Sequence, residues 1–326
     1  MHQLKISDGR VDLMVSELCL GTMYFGYRTD EETAFAILDR FREAGGTFLD
    51  TANSYGQWHG DAGESERVIG RWLRSRRAVG EMVVATKVGA RTTVPGDPDM
   101  RHWQGLGADA IRQDAETSLR NLGVDRLDLY YAHIDDRATP LEETVDAFAT
   151  LAESGKAGLL GASNTATWRI ERARNLAAKA GRPAYSCVQQ EYTYLLAHPE
   201  PEQVSLISSE LLDYAAAEDL TLLAYSPLLA GRYARPSMQM RTAYDHPGNE
   251  PRLAALRAVA AEHGATPNQV VLAWMLRQKP RIMPIPGASS VEQLDEILAA
   301  TELKLDEAQL DRLDQAGRAV SGTGAG

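Results

Sequence analysis

The stretch Phe48-Leu49-Asp50-Thr51-Ala52-Asn53-Ser54-Tyr55-Gly56 begins as a short apolar strand and ends that strand on a carboxylate. It then breaks into a polar turn that presents a phenol five residues further on. A carboxylate at the mouth of a buried strand is costly unless a partner meets it. Two more apolar runs end in ionisable groups. Met82-Val83-Val84-Ala85-Thr86-Lys87-Val88 carries Lys87, and Leu127 to Tyr131 runs into His133. An acid, a phenol, an ammonium and an imidazole at successive strand ends point to an active site gathered at one face of a barrel.

Outward from this stretch, apolar runs alternate with amphipathic segments. The runs are 17–21, 47–51, 82–88, 127–133, 157–163, 185–190, 221–226 and 281–286, eight in all. Between them, Ala34, Phe35, Ile37, Leu38 and Phe41 stand at helical spacing behind the acidic start Asp30-Glu31-Glu32. Val68-Ile69-Trp72-Leu73, Leu141-Val145-Phe148-Leu151 and Leu253-Leu256-Val259-Ala260 repeat the pattern, and Gly45-Gly46, Gly123 and Gly155 punctuate helix ends. Strands alternating with helices imply a parallel sheet, and eight such units imply a closed (β/α)8 TIM barrel. Leu4, Ile6, Val11 and Leu13 around Asp8-Gly9-Arg10 predict an N-terminal β-hairpin ahead of it. The main competitor, a Rossmann fold, requires a glycine-rich turn after its first strand. Gly21-Thr22-Met23-Tyr24-Phe25-Gly26 does not supply G-x-G-x-x-G. No linker or charge block divides residues 1–326, which read as one barrel domain with a loose tail at Ser321–Gly326.

The chain has 326 residues, 44% of them apolar, enough for a large core without help from oligomerisation. Nothing in it specifies an oligomeric state. A net charge of −11 argues against a nucleic-acid groove or an acidic membrane surface, and no run reaches the length of a membrane span. The two cysteines, Cys19 and Cys187, lie in apolar runs without disulfide or zinc spacing, so no metal is expected and a reducing compartment fits best. With no signal-like N-terminus, the expectation is a cytoplasmic protein.

Three long connections, 56–64, 90–107 and 228–251, follow strands and so belong to the face that carries the ionisable strand ends. Trp58, His59, His102 and Trp103 on the first two form a candidate aromatic wall, and Met23, Tyr24 and Tyr194 extend the candidate substrate pocket. Asp50 and Lys87, on adjacent strands, are expected to pair, which relieves the cost of burying either one. Tyr55 beside that cation is expected to shift toward its ionised form and donate its proton more readily. His133 is placed to hydrogen-bond a substrate oxygen held against Tyr55. Taken singly, each residue has a blander role, as a packing tyrosine, a structural lysine or a core histidine. Together they suit protonating an oxygen while electrons reach the attached carbon, that is, reduction of a carbonyl by a hydride donor.

At these residues the sequence resembles the aldo-keto reductase family. Leu49-Asp50-Thr51-Ala52-x-x-Tyr55-Gly56, Ala85-Thr86-Lys87 and Ala132-His133 resemble its three catalytic strand ends, and Gly161-Ala162-Ser163-Asn164 resembles its nicotinamide-holding Ser-Asn pair. Gln189 sits where the family's carboxamide-binding glutamine sits. Tyr225-Ser226-Pro227-Leu228 resembles the segment whose aromatic packs on the nicotinamide ring. The resemblance implies that Tyr55 is the general acid, tuned by Lys87 and Asp50, with His133 orienting the carbonyl of a small-molecule substrate. It also implies NADPH as cofactor, bound without a Rossmann domain.

For the adenine end, Ser290 with Gln293 reads as a capping box opening a helix, whose free N–H groups attract phosphate. Gly287, Ser289, Ser290 and Gln293 are assigned to it, the last three as the lining of the 2′-phosphate pocket, and Arg232 in Ala230-Gly231-Arg232-Tyr233 after the seventh strand is its cation, while Leu228 and Gly231 count among the cofactor-binding residues. Members that grip the 2′-phosphate carry Lys or Arg near Gly287, Ser289 or Gln293, and others end in Glu-Asn where this chain has Glu296-Ile297. NADH therefore stands as a second cofactor. Two other function classes stand beside the reductase. One is a slow-turnover cofactor sensor, since the family also resembles potassium-channel β subunits. The other is a lyase using Lys87 as a Schiff-base nucleophile, which an ion pair with Asp50 disfavours by keeping the amine protonated.

Overall fold

The computed structural model describes residues 1–60, 62–94, 102–198, 206–235 and 237–317. Parts of two long connections (residue 61 and residues 95–101), Pro236 of the third, and the tail at 321–326 lie outside the described residues. The chain opens with β1 (Gln3–Ser7) and β2 (Asp12–Ser16), an antiparallel pair. The Asp8 carboxylate accepts from the N–H groups of Arg10 and Val11 at 2.9 Å and closes the turn. This is the expected hairpin.

Then follow β3 (Cys19–Gly21), α1 (Glu31–Glu43), β4 (Phe48–Asp50), α2 (Glu64–Arg76), β5 (Val83–Val88), α3 (Ala108–Leu122), β6 (Leu127–Ala132) and α4 (Leu141–Glu153). The second half runs β7 (Ala157–Ser163), α5 (Thr167–Lys179), β8 (Tyr185–Glu191), α6 (Ser209–Ala217), β9 (Thr221–Tyr225), α7 (Glu250–His263), α8 (Pro267–Met275), β10 (Ile282–Ile285), α9 (Val291–Ala299) and α10 (Glu307–Gln315). Strands β3 to β10 form one parallel sheet in sequence order. The Gly21 N–H donates to Pro286 O at 2.9 Å, bringing the two ends of the sheet together as the (β/α)8 topology requires. Each strand falls at one of the eight expected apolar runs. The third connection was expected as one long loop up to 251. It holds short 3₁₀ turns and passes directly into α7 at Glu250.

Period-two alternation sorts every strand into an inner and an outer face. Cys19, Phe48, Ala85, Leu129, Tyr131, Leu159, Cys187, Leu223, Met283 and Ile285 fill the barrel, and Ile6, Leu13 and Val15 of the hairpin pack against this inner cluster. The outer residues, among them Leu20, Leu49, Val84, Val88, Tyr130, Leu160, Val188 and Leu222, meet the apolar stripes of the helices. The same alternation carries Asp50, Lys87 and Gln189 inward, since each lies two residues beyond an inner apolar side chain.

Tyr131 is the largest side chain in the inner cluster, and Gly161 on β7 makes room for it. A Cβ at position 161 would lie 2.3 and 2.4 Å from two carbons of the Tyr131 ring and 2.9 Å from Cys187 O. The ring supports the floor below Asp50 and Gln189, so the substitution Gly161→Ala should cost stability by about 1–3 kcal/mol through overpacking. Urea unfolding of the two proteins measures the difference, and equal midpoints would show that the ring has room to move.

Candidate active site

Lys87 is fully buried on the inner face of β5, where an unpaired ammonium would be prohibitive. Its three donors have three acceptors. Nζ lies 2.6 Å from Asp50 Oδ1, 2.7 Å from Thr51 O and 3.2 Å from Tyr55 Oη. The second carboxylate oxygen of Asp50 accepts from Gln189 Nε2 at 2.8 Å, so an amide from the far side of the barrel completes the pair. Tyr55 reaches this point because its turn is fixed at both ends. The Thr51 and Asn53 N–H groups donate to Ala85 O and Lys87 O, and Tyr55 O accepts from Gly63 and Glu64 at the start of α2.

Burial opposes the charge on Lys87, yet Asp50 and Tyr55 together outweigh it and hold the ammonium above its usual range. The Tyr55 phenol departs from the sequence expectation. Burial raises it more than Lys87 lowers it, and Asp50 adds to the rise, so it stays firmly protonated. The His133 ring meets that of Tyr55 edge-on, with centroids 6.0 Å apart. Burial, aided by the nearby Lys87 charge, pushes the imidazole well below its ordinary value, so it is neutral. Its Nδ1 is buried and has no hydrogen-bonding partner. The alternative of a core histidine satisfied by a carboxylate does not describe it.

These groups open into a cavity of about 980 Å³ along the carboxyl ends of the strands. Asp50, Tyr55, His133, Ser163, Asn164, Gln189, Tyr225, Ser226, Leu228, Gly231, Gly287, Ser289 and Gln293 line it, as do Met23, Tyr24, Trp58 and Trp103. The Asn164 side chain is already engaged. Nδ2 donates to His133 O at 2.9 Å, and Oδ1 accepts from the Tyr225 hydroxyl at 2.7 Å. Asn164 and Ser226 both adopt left-handed φ, near 53° and 54°. Such backbone strain is held only where surroundings over-determine it.

Five expected residues stand elsewhere. Arg232 does not line the cavity, because its guanidinium donates to Leu229 O and Gln239 O and braces its own loop. The cavity cation is Arg235, three residues on, the one Arg or Lys among the described lining residues. Ser290 caps α9 by accepting from Gln293 N and does not line the cavity. The reciprocal bond of the expected capping box is shifted by one residue, since Gln293 Oε1 accepts from Ser289 N at 2.9 Å. Tyr194 is buried behind the site with its hydroxyl on Leu313 O. His59 stacks on Tyr27, with ring centroids 3.9 Å apart, and neither it nor His102 lines the cavity.

Two residues outside the expected set also belong to the site, Asn268 and Glu296, the latter noted in the sequence only where this chain departs from the family's Glu-Asn ending. Both line the far end of the cavity. Glu296 Oε1 accepts from Thr266 Oγ1 at 2.6 Å and Asn268 Nδ2 at 3.2 Å, while the buried Asn268 Oδ1 has no partner. Asn268 opens α8 just after its capping-box Thr266, so in sequence it carries only a helix-start signal. Its packing against α9 is what brings it to the cavity.

Comparison with known proteins agrees with this architecture. The aldo/keto reductase family model matches residues 17–318. The chain is 38% identical to the uncharacterized oxidoreductase YrpG of Bacillus subtilis (strain 168), covering 94% of this chain and 93% of that protein. It is 32% identical to the aldo-keto reductase str7 of Strobilurus tenacellus, over 91% of this chain and 87% of that one. It is also 29% identical to the aryl-alcohol dehydrogenase GME11368 of Pestalotiopsis microspora, over 92% and 78% respectively. With an eight-stranded barrel, an inward Asp50–Lys87 pair touching Tyr55, and a family match that spans nearly all of it, the chain belongs to the aldo/keto reductase family.

Proposed function

We propose that the protein reduces aldehyde or ketone carbonyls to alcohols with NADPH, and that Tyr55 donates the proton. The observation that carries this reading is the hydrogen bond from Lys87 Nζ to Tyr55 Oη. Because the phenol oxygen accepts from the ammonium, its own O–H is left to donate into the cavity. As negative charge grows on a carbonyl oxygen, the proton leaves Tyr55 and the resulting phenolate is met by the ammonium already beside it. Asp50 keeps Lys87 charged, which favours this role over that of an amine nucleophile. Neutral His133 offers a ring N–H to the same oxygen without competing as an acid.

The cavity's polar groups fit a dinucleotide. The unpartnered Asn268 Oδ1 and the Glu296 carboxylate are acceptors suited to the amino group of adenine. Arg235 suits its phosphates, with Ser289 and Gln293 assigned to the 2′-phosphate. Ser163, Asn164 and Gln189 are assigned to the carboxamide and Tyr225 to the ring face. When bound, the nicotinamide supplies a hydride to the carbonyl carbon. Tyr24, Trp58 and Trp103, with Met23 and Ile134, make an uncharged aromatic wall on the other side, which suits flat aryl carbonyls. The relative named as an aryl-alcohol dehydrogenase is in keeping with that choice.

Three measurements test the proposal. In steady-state assays on aryl aldehydes, Tyr55→Phe should lower turnover by roughly 10²–10⁴-fold while cofactor affinity stays near wild type, and retained activity would remove Tyr55 as the acid. Turnover for reduction should be flat through neutral pH. It should fall only in alkali, because the acid must be protonated and burial holds its pKa above the ordinary 10.0. A limb near 6.5 would mean that His133 titrates and does not remain neutral. Fluorescence titration should give tighter binding for NADPH than for NADH, and equal constants would remove the 2′-phosphate assignment.

A further inference from the structure

Behind the cavity, on the inward face of α3, lies a carboxylate that the proposed chemistry does not use. Asp114 is 2% exposed. Its Oδ2 accepts from Asn53 Nδ2 at 2.6 Å, its Oδ1 lies 3.3 Å from Arg91 Nη2, and the Gln104 side chain donates to it as well. These partners come from two different parts of the site. Asn53 belongs to the turn from Asp50 to Tyr55, and its N–H donates to Lys87 O at 3.2 Å. Arg91 and Gln104 face each other across the connection between β5 and α3. There Gln104 N donates to Arg91 O at 2.8 Å, and Thr92 bridges Trp103. A second tie comes from Gln57, two residues after Tyr55, which donates to Ala90 O at 3.1 Å and accepts from Thr92 N at 2.9 Å.

We infer that Asp114 is a positioning residue: one buried carboxylate fastens the Tyr55 turn to the loop that carries Trp103, and so sets the distance between the proton donor and the substrate wall. The inference rests on the roles proposed above for Tyr55 and Trp103. Three donors converge on a single carboxylate from segments nearly forty residues or more apart in sequence, and Gln57 is a second described side chain that joins the same two segments. The other buried carboxylate nearby, Glu66, touches neither segment. It accepts from Thr86 Oγ1 at 2.6 Å on the outer face of β5 and from Asn121 Nδ2 at 2.9 Å on α3.

The two Asp114 contacts separate by substitution. In Asp114→Asn the new amide still meets Asn53, whose Oδ1 is buried without a partner, while the charge facing Arg91 is lost. In Asp114→Ala both contacts are lost. Arg91→Gln removes the charge from the other side, at a residue whose side chain is 41% exposed and whose loss leaves the core intact. Hydrogen exchange followed by mass spectrometry on the full-length chain reads both segments without any turnover.

We expect Asp114→Asn and Arg91→Gln to speed exchange in residues 90–94 and 102–106 by about tenfold and to leave 50–57 protected. Asp114→Ala should speed exchange in both segments, with the Gln57 tie still holding part of the link. In kinetics the first two variants should raise KM for an aryl aldehyde by about tenfold with kcat within about twofold, whereas Asp114→Ala should lower kcat as well. Glu66→Gln, which removes a buried charge without touching either segment, should show neither pattern. Exchange that rises uniformly in the Asp114 variants, as in Glu66→Gln, or that does not change at all, would overturn the inference and leave Asp114 a structural carboxylate. Should the wild-type protein reduce no carbonyl, the reductase reading fails while the exchange data still decide the link made by Asp114.

Discussion

The structure depends on one ion pair placed where water is scarce. Lys87 and Asp50 lie inside a parallel barrel, and neither charge would survive there alone. Desolvation of such a pair costs several kcal/mol per ion by rough reckoning, and only near-complete hydrogen bonding recovers it. Here Lys87 has three acceptors and Asp50 receives both the ammonium and the Gln189 amide. The third acceptor of Lys87 is the phenol of Tyr55, so satisfying the ammonium and aiming the phenol are one event. The site's chemistry and its local stability share the same bonds.

Everything nearby serves to keep that arrangement rigid. The hairpin residues Ile6, Leu13 and Val15 pack into the inner cluster, and Tyr131 fills the space that Gly161 leaves open below the polar floor. Glu191, at the end of β8, takes hydrogen bonds from Arg241 and the Tyr244 hydroxyl, pinning the connection after β9 beside Tyr225. That connection holds Leu229 and Ala230 in left-handed backbone, near 48° and 57°, a conformation that side chains resist and that packing here enforces. The cavity wall is thus fixed from behind by buried polar bonds and does not rely on its own flexibility.

Much of this was legible in the chain. Alternation of eight apolar runs with helical spacing fixed the barrel class, because period two and period 3.6 are local properties of sequence. The pairing of Asp50 with Lys87 followed from their places at adjacent strand ends, Tyr55 from its short distance past a strand end, and Gln189 from its likeness to the family's glutamine. Loops and caps set the rest of the site, and residue patterns there do not show which side chain turns where. Arg232 and Arg235 are three residues apart in an irregular connection, and no periodicity says which guanidinium folds back onto carbonyls and which faces the cavity. The direction of the Tyr55 shift was missed for a similar reason. A neighbouring cation was inferable, but the extent of burial was not.

By itself, then, the sequence determined the eight-stranded parallel barrel and the four polar groups gathered at its mouth, since those rest on spacing along one chain. Tertiary structure alone decided what depends on meeting between distant segments. Examples are Asn268 reaching the cavity beside Glu296, Gln189 closing the Asp50 carboxylate, and Asp114 joining Asn53 to Arg91. Such contacts arise from packing geometry and desolvation, which are properties of the folded volume, and no residue pattern along the chain encodes them in readable form.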